Sequence, residues 1–230
     1  MYTLHIANKI YSSWSLRPWL LMQALQIPFT EEVHPFGVGS NQASFSKFSP
    51  TGKVPCLHSD EHVIWDSLAI AEYLSERHDG IWPDDPSARA WARCASAEMH
   101  SGFQALRQHC PMHCGLRIKL RTMTEAVQGD IDRVIELWSE GLSRFGGPYL
   151  AGTKFTAVDA FFAPVVIRFQ SYGMALNDAA AQYRDHMLGL PALQAWITAA
   201  LEEPWREPGH EQEVLAVGAV VMDLRDRPAI

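Results

Sequence analysis

The sequence TGKVPCL at residues 51–57, followed by DSLAIAEYL at residues 66–74, decides the fold of the first part of the chain. A Val-Pro step leads into a short apolar strand, and an acid–hydroxyl pair then opens an apolar helix. Residues 62–65 form a second short strand after the polar turn at residues 59–61. Two strands joined this closely form an antiparallel hairpin. We therefore expect a ββα unit over residues 54–78.

The residues before this unit alternate between strand and helix patterns. Residues 2–7 alternate apolar and polar side chains, residues 15–26 carry apolar side chains at helical spacing, and residues 29–33 fit a second strand. The Gly-, Ser- and Asn-rich stretch 37–52 is predicted to be irregular with a short helix. The first two strands run parallel because a helix connects them. Residues 1–78 are thus predicted to fold as βαβαββα, a small sheet covered by helices.

Residues 79–86, with two prolines and a glycine, are predicted to be a linker, and residues 87–230 an all-helical domain with a tail. The predicted helices are separated by Pro or Gly breaks and cover residues 87–110, 124–146, 156–172 and 191–203. The tail at residues 205–230 contains a Val-rich stretch, residues 214–222, that fits a strand-like arm.

Composition excludes several classes of protein. The chain has 230 residues, 47% hydrophobic and 20% charged, as in an ordinary soluble globular protein. A net charge of −7 without a basic patch argues against nucleic-acid binding. The sequence has no apolar run of about 18 residues, so we expect no membrane span. Four scattered cysteines and no evident signal peptide predict reduced thiols in a cytoplasmic protein.

The segment Ser12-Ser13-Trp14-Ser15 lies between the first strand and the first helix. Unpaired backbone N–H groups and the helix dipole favour an anion there. A serine at this point either caps the helix or donates a hydrogen bond to a bound thiolate. No His/Asp pair is evident to make it a nucleophile.

Two further motifs are suited to a small peptide ligand. If the Val54-Pro55 bond is cis, Val54 N–H and C=O are free to pair with a ligand backbone; the alternative is a trans proline at the start of an edge strand. Ser67 and the helix N-terminus fit a ligand carboxylate, and Asp66 fits an ammonium group, although both residues also fit simple helix capping. Lys53 either reaches a second ligand carboxylate or is solvated.

The segment His109-Cys110-Pro111-Met112-His113-Cys114 contains two Cys and two His within six residues. This spacing matches no familiar zinc pattern, and Pro111 disrupts any helical i,i+4 face. We therefore expect no metal site in this segment.

Four motifs together resemble those of the cytosolic glutathione transferases. They are Ser-x-x-Ser-x-Arg at residues 12–17, Pro-x-Gly-Lys-Val-Pro at 50–55, Asp-Ser-Leu-Ala-Ile-x-Glu-Tyr-Leu at 66–74 and Thr-x-x-Asp at 156–159. Their order and spacing are similar to the family from residue 2 to about residue 205. The resemblance implies a thioredoxin-like N-terminal domain, an all-helical C-terminal domain, a homodimer, and glutathione as co-substrate with no metal.

The resemblance also implies roles for individual residues. Ser12 matches the thiol-activating serine, with Ser13 as the neighbouring alternative. Val54 with a cis Pro55 would bind the cysteinyl part of glutathione. Residues implied to bind its two ends are Asp66 and Ser67 at the γ-glutamyl group and Lys53 at the glycyl group. Side chains implied to line the second-substrate pocket, each also compatible with ordinary packing, are Met99, His100, Phe103, Arg107 and Met112. Thr156 and Asp159 match a structural capping box.

The sequence is similar to serine-type, zeta-like bacterial members, with two departures. Trp14 stands where the zeta class has cysteine in Ser-Ser-Cys-Ser, and Asp66 stands where the family usually has Glu. The predicted activity is attack of the glutathione thiolate on a small hydrophobic electrophile. The alternatives are a glutathione-dependent isomerase, a peroxidase or thiol reductase, which would favour cysteine at the first helix, and a non-catalytic binding scaffold.

Overall fold

The computed structural model describes residues 1–225, and the first part of the chain contains a four-stranded sheet. Its strands are β1 (Thr3–Ile6), β2 (Thr30–Val33), β3 (Cys56–His58) and β4 (Val63–Trp65). The spatial order is β2-β1-β3-β4. β1 and β2 run parallel, whereas β3 is antiparallel to both β1 and β4. The hairpin and the parallel pair are those predicted from the sequence.

Three helices complete this part of the chain. They are α1 (Ser13–Ala24), α2 (Gln42–Phe45) and α3 (Ser67–Ser75). The element order is therefore βαβαββα, which confirms the predicted thioredoxin-like fold. A helix connects β1 to β2 because parallel neighbours require a crossover.

The rest of the described chain is mostly helical. Its elements are α4 (Pro86–Ser101), α5 (Gln104–His109), β5 (Leu116–Leu120), α6 (Glu125–Phe145), α7 (Ala157–Ser171), α8 (Asp178–Leu188), α9 (Pro191–Glu202), α10 (Pro208–Val217) and β6 (Gly218–Asp223). Residues 76–85 lead from α3 to α4, and the division of the chain into two domains at the predicted linker 79–86 stays a prediction. No helix within residues 1–225 is long and apolar enough to cross a membrane.

The structure adds several elements to those predicted. The helix expected over residues 87–110 is two helices, because Gly102 is extended and Phe103 adopts a left-handed conformation with φ of 54°. β5 and β6 pair antiparallel and were not predicted as a strand pair. Helices α8 and α10 are likewise absent from the predicted set of helices. Of the arm expected at residues 214–222, the first four residues complete α10 and the rest belong to β6. The part of the predicted tail beyond residue 225 lies outside the described residues.

Helix α7 forms the centre of the core. Nearly all of its residues are buried, and it packs against α1, α4 and α8. Its N-terminus carries the predicted capping box of Thr156 and Asp159. Because α7 contacts α1 directly, the helical part of the chain supports the helix at whose N-terminus Ser12 lies.

Candidate functional site

Ser12 ends the loop between β1 and α1, and its hydroxyl does not cap the helix. Its backbone N–H donates to Asn8 O at 2.9 Å. Within the described chain the Ser12 side chain makes no capping bond to α1; it donates to Ser15 Oγ at 2.8 Å. Ser15 Oγ in turn accepts from Ala7 N at 3.2 Å. The Ser12 hydroxyl is therefore held in place by Ser15 and is not committed to the backbone of α1.

The loop before Ser12 is held by residues from the far end of the chain. The Glu203 carboxylate accepts from Lys9 N at 2.7 Å and from Ile10 N at 3.3 Å. Trp196 Nε1 donates to Lys9 O at 3.0 Å. These buried hydrogen bonds satisfy peptide groups that would otherwise be unpaired. Leaving one such buried group without a partner costs about 1–3 kcal/mol. The position of Ser12 thus depends on α9 and on the residue after it.

A cavity of about 750 Å³ opens beside Ser12. Six residues of the predicted site line it: Ser12, Ser13, Lys53, Val54, Arg107 and Met112. Such a volume suits a small-molecule ligand. The structure therefore brings the predicted thiol-activating serines next to Val54 and to part of the predicted second-substrate pocket.

A second cavity, of about 500 Å³, continues from the first. It is lined by the predicted ligand-binding residues Lys53, Val54, Pro55, Asp66 and Ser67, together with Trp14, Thr51 and Trp65. Trp14, Lys53 and Val54 border both cavities, so the two form one groove. The Val54–Pro55 bond is cis.

Asp66 and Ser67 combine a structural contact with a place in the groove. Asp66 has a φ of 72°, a conformation that non-glycine residues rarely adopt. Its Oδ1 accepts from Leu68 N at 2.8 Å and caps α3, and its Oδ2 lies 3.4 Å from His100 Nε2. Ser67 is 2% exposed, and its Oγ accepts from Arg17 Nη1 at 3.5 Å. Because Oδ1 caps the helix, Oδ2 is the carboxylate oxygen of Asp66 that remains available to a ligand.

Three arginines make this region positive. The Arg17 guanidinium lies 4.1 Å from the centroid of the Trp14 ring, and that of Arg107 lies 5.3 Å from it. Burial and then the nearby charges of Arg107 and Arg168 lower the pKa of Arg17 to about 9. Arg107 and Arg168 also line the larger cavity. A cation cluster of this kind stabilises an anion such as a thiolate or a carboxylate.

Three residues predicted to line the second-substrate pocket lie elsewhere. Neither cavity, as residues 1–225 form them, includes Met99, His100 or Phe103 in its lining. Met99 is fully buried in the core, and Phe103 is 6% exposed. The His100 ring contacts Asp66 and Trp14. The role of these three residues at the second substrate stays a prediction.

The C-terminal segment contributes residues that the sequence did not indicate. His210, on α10, lines the larger cavity, and its ring stacks on Tyr11 at 4.9 Å and on Phe36 at 4.8 Å between centroids. Other lining residues that were not predicted include Gln104, Gln108, Arg168 and Glu213. No local pattern identifies them, because they reach the cavity only through the packing of distant helices.

Glu211 fixes this segment to the Ser12 loop. Its carboxylate accepts from Tyr11 Oη at 2.5 Å, from Arg225 Nη1 at 2.6 Å, and contacts His113 Nε2 at 3.2 Å. Burial opposes ionisation of Glu211, but these hydrogen bonds outweigh it and hold its pKa well below the usual range. The carboxylate is thus ionised and holds α10 over the groove.

Two family models match the chain. The model of the glutathione S-transferase N-terminal domain matches residues 11–77, and that of the C-terminal domain matches residues 122–199. Together they cover more than half of the chain and include the three motifs that line the cavities, at residues 12–17, 50–55 and 66–74, and the capping box.

Relatives and solved structures agree with these matches. A probable maleylacetoacetate isomerase from Caenorhabditis elegans is 29% identical over 73% of this chain and 81% of its own length. The maleylacetoacetate isomerase of Rattus norvegicus is 26% identical over 88% of this chain and 92% of its own. A crystal structure of a glutathione transferase homologue from Burkholderia, with bound glutathione, has the same fold with a TM-score of 0.64, at 21% identity over 86% of this chain and 97% of that one. The chain is a member of the glutathione S-transferase family and is similar to its zeta-like members.

Proposed function

We propose that this protein transfers glutathione to small electrophiles and that the Ser12 hydroxyl holds the reacting thiolate. One observation carries the assignment: Ser12 lines the larger cavity, and its hydroxyl makes no capping bond to α1. In the structure Ser15 Oγ accepts from Ser12 Oγ and from Ala7 N, and its hydroxyl also has a proton of its own to donate. When Ser12 donates to a sulfur anion, Ser15 can donate to Ser12 and strengthen that bond.

The energy required is within reach of this arrangement. A free thiol with a pKa of about 8.5 is only a few per cent ionised at pH 7, and the thiolate is the nucleophile. Lowering that pKa by about two units needs roughly 2.7 kcal/mol of anion stabilisation. A charge-assisted hydrogen bond from Ser12 and the N-terminus of α1 are together of this size.

The smaller cavity suits the peptide part of glutathione. The γ-glutamyl carboxylate would lie at the N-terminus of α3 near Ser67 and its ammonium group at Asp66 Oδ2. Val54 would pair with the cysteinyl backbone as an added strand does. Lys53 borders both cavities and would bind the glycyl carboxylate.

A glutathione-dependent isomerase is the second candidate. Arg107 and Arg168 border the larger cavity beyond Ser12, which suits an electrophile that carries a carboxylate. In such a reaction the thiolate adds to a C=C bond, the resulting single bond rotates, and the thiolate leaves unchanged. The relatives named maleylacetoacetate isomerase favour this candidate. This chain differs from the zeta class at Trp14, where that class has a cysteine, and this difference weighs against the isomerase.

A thiol reductase or peroxidase is less well supported. Reduction through a mixed disulfide with the protein favours a cysteine thiolate, whereas serines occupy the N-terminus of α1. Burial raises the pKa of Cys56 to about 11 and those of Cys110 and Cys114 to about 12. Such thiols stay protonated at neutral pH and are poor nucleophiles.

We further propose a cytoplasmic homodimer, as in the family. β4 is an edge strand of the sheet, and it exposes Val63 and Trp65 at 43% and 44% of their surface. Apolar side chains on an edge strand are of the kind that subunit contacts cover.

The test compares Ser12→Ala with the matched variant Ser13→Ala. We expect Ser12→Ala to lower kcat with a model aryl halide by about 100- to 1,000-fold, as loss of a stabilising donor does. The KM for glutathione should change little, and the pKa of the bound thiol, followed by thiolate absorbance, should rise toward about 8.5.

Ser13→Ala should retain wild-type turnover. Unchanged turnover in Ser12→Ala together with loss in Ser13→Ala would move the assignment to Ser13. Failure of the wild type to bind immobilised glutathione would instead favour the scaffold. Conversion of a cis-enedione carboxylate to its trans isomer, with glutathione recovered unchanged, would identify the isomerase.

A further inference from the structure

The parallel pair β1–β2 brings together three potential metal ligands outside the glutathione groove. His5 on β1 is the register partner of Glu32 on β2. His34 follows β2 by one residue, and its backbone N–H bonds to Ile6 O at 2.8 Å, which continues the ladder. Residues two apart along an extended strand share a face, so Glu32 and His34 lie on the side of the sheet where His5 meets them.

Their ligand atoms already have nearly the spacing of a tetrahedral site. His5 Nδ1 lies 2.9 Å from His34 Nε2 and 3.3 Å from Glu32 Oε2, and His34 Nε2 lies 3.8 Å from that same oxygen. Zinc–nitrogen bonds of about 2.0–2.1 Å in a tetrahedron set neighbouring ligand atoms about 3.3–3.4 Å apart. The imidazole–imidazole distance is shorter than this value, and the two distances to Glu32 are close to it or longer. A small increase in the separation of the two imidazoles is therefore enough to admit an ion.

The two imidazoles are held in place by their surroundings. Both rings stack on Phe48, at 4.6 Å for His5 and 4.0 Å for His34. A neighbouring histidine, His58, is occupied by a 2.7 Å bond to Phe48 O. Held ligands lose little conformational entropy on binding.

Glu32 provides the negative charge and the route to solvent. Its side chain is 52% exposed, whereas that of His5 is 7% exposed. A divalent ion can therefore reach the site from the Glu32 side and keep a water molecule there as fourth ligand. Two His and one carboxylate with an open position is a ligand set that zinc adopts in proteins.

We propose that His5, Glu32 and His34 bind one divalent transition-metal ion, for which Zn²⁺ is the best fit. Among residues 1–225, none of these three lines either cavity of the glutathione groove. The ion would hold β1 against β2 and would take no part in thiol transfer, so binding of the metal and transfer of glutathione can be tested separately.

Binding is measured by titrating Zn²⁺ into the tag-free, EDTA-dialysed protein in an isothermal titration calorimeter, without glutathione because its thiol binds zinc. The test variants are Glu32→Gln and His34→Gln, which leave buried His5 intact. The matched controls are His62→Gln, at an exposed histidine, and Cys94→Ser, at the exposed cysteine. Circular dichroism and the aryl halide assay establish that each variant is folded.

We expect one saturable site in the wild type and in both controls. Loss of an outer-shell partner weakens metal binding by about 10- to 100-fold, so loss of the direct ligand in Glu32→Gln or His34→Gln should weaken it at least tenfold. Co²⁺ should give tetrahedral visible bands without thiolate charge transfer. Equal Zn²⁺ affinity in wild type, Glu32→Gln and His34→Gln, or no saturable binding at all, would overturn the proposal. Transferase activity should stay at the wild-type level in both test variants.

Discussion

Asp159→Ala should be the most informative single change for the stability of this fold. Asp159 is fully buried at the N-terminus of α7. Its carboxylate accepts from Leu150 N, Thr156 N and Tyr183 Oη, each at 3.0 Å. Alanine would leave these three donors buried and without that acceptor.

The size of the effect follows from these contacts. A buried donor that loses its partner costs about 1–3 kcal/mol. Burial raises the pKa of Asp159 to about 6, although its hydrogen bonds act in the opposite direction. The buried carboxylate therefore has a desolvation cost, and replacing it with alanine removes that cost. We therefore expect Asp159→Ala to lower the free energy of unfolding by about 3–5 kcal/mol, a large share of the roughly 5–15 kcal/mol of an ordinary domain.

The measurement is urea unfolding at pH 7, followed by tryptophan fluorescence at one fixed protein concentration. The control is Asp178→Ala, at an exposed acidic residue in the first turn of α8, which should cost no more than about 1 kcal/mol. Asp159→Asn keeps one acceptor oxygen and should fall between the two. A loss in Asp159→Ala no larger than that in Asp178→Ala would refute the argument that the capping carboxylate organises this end of α7.

Two other predictions concern the tail and the assembly. Glu211→Gln should destabilise the protein by about 1–3 kcal/mol at pH 7, and because the folded-state pKa of Glu211 is lowered, wild type and variant should converge as pH falls below about 4.5. A pH-independent difference in unfolding midpoint between the two would contradict this. Light scattering should give a mass of twice the 25.8 kDa of one chain, and the mass of a single chain would disprove the homodimer.

The sequence predicts best those parts of the fold that are determined locally. The spacing of strand and helix patterns over the first 78 residues predicts βαβαββα, since each connection there is short. The Val54-Pro55 and Asp66-Ser67 motifs both line the groove, because each lies at the end of a short element whose direction the hairpin fixes.

What the sequence misses depends on contacts between distant segments. β5 finds its partner in β6 about a hundred residues later, so neither strand is evident from its own pattern. The break at Gly102, where Phe103 adopts a left-handed conformation, divides a helix that the sequence pattern predicts to be continuous over residues 87–110. Likewise, His5 and Glu32 are neighbours only through the register of a parallel sheet, which depends on tertiary packing.

The bonds from Trp196 and Glu203 to the loop before Ser12 have a consequence for the order of events during synthesis. The peptide groups of Lys9 and Ile10 leave the ribosome among the first, yet their partners are made almost two hundred residues later. The N-terminal sheet can form early, since chains fold from the N-terminus as they are made. The segment that carries Ser12 nevertheless waits for α9. A nascent chain that stops before residue 203 thus has a sheet without the buried partner of the Lys9 and Ile10 amides, and, under the proposed function, competence for glutathione chemistry arrives only with about the last eighth of the chain.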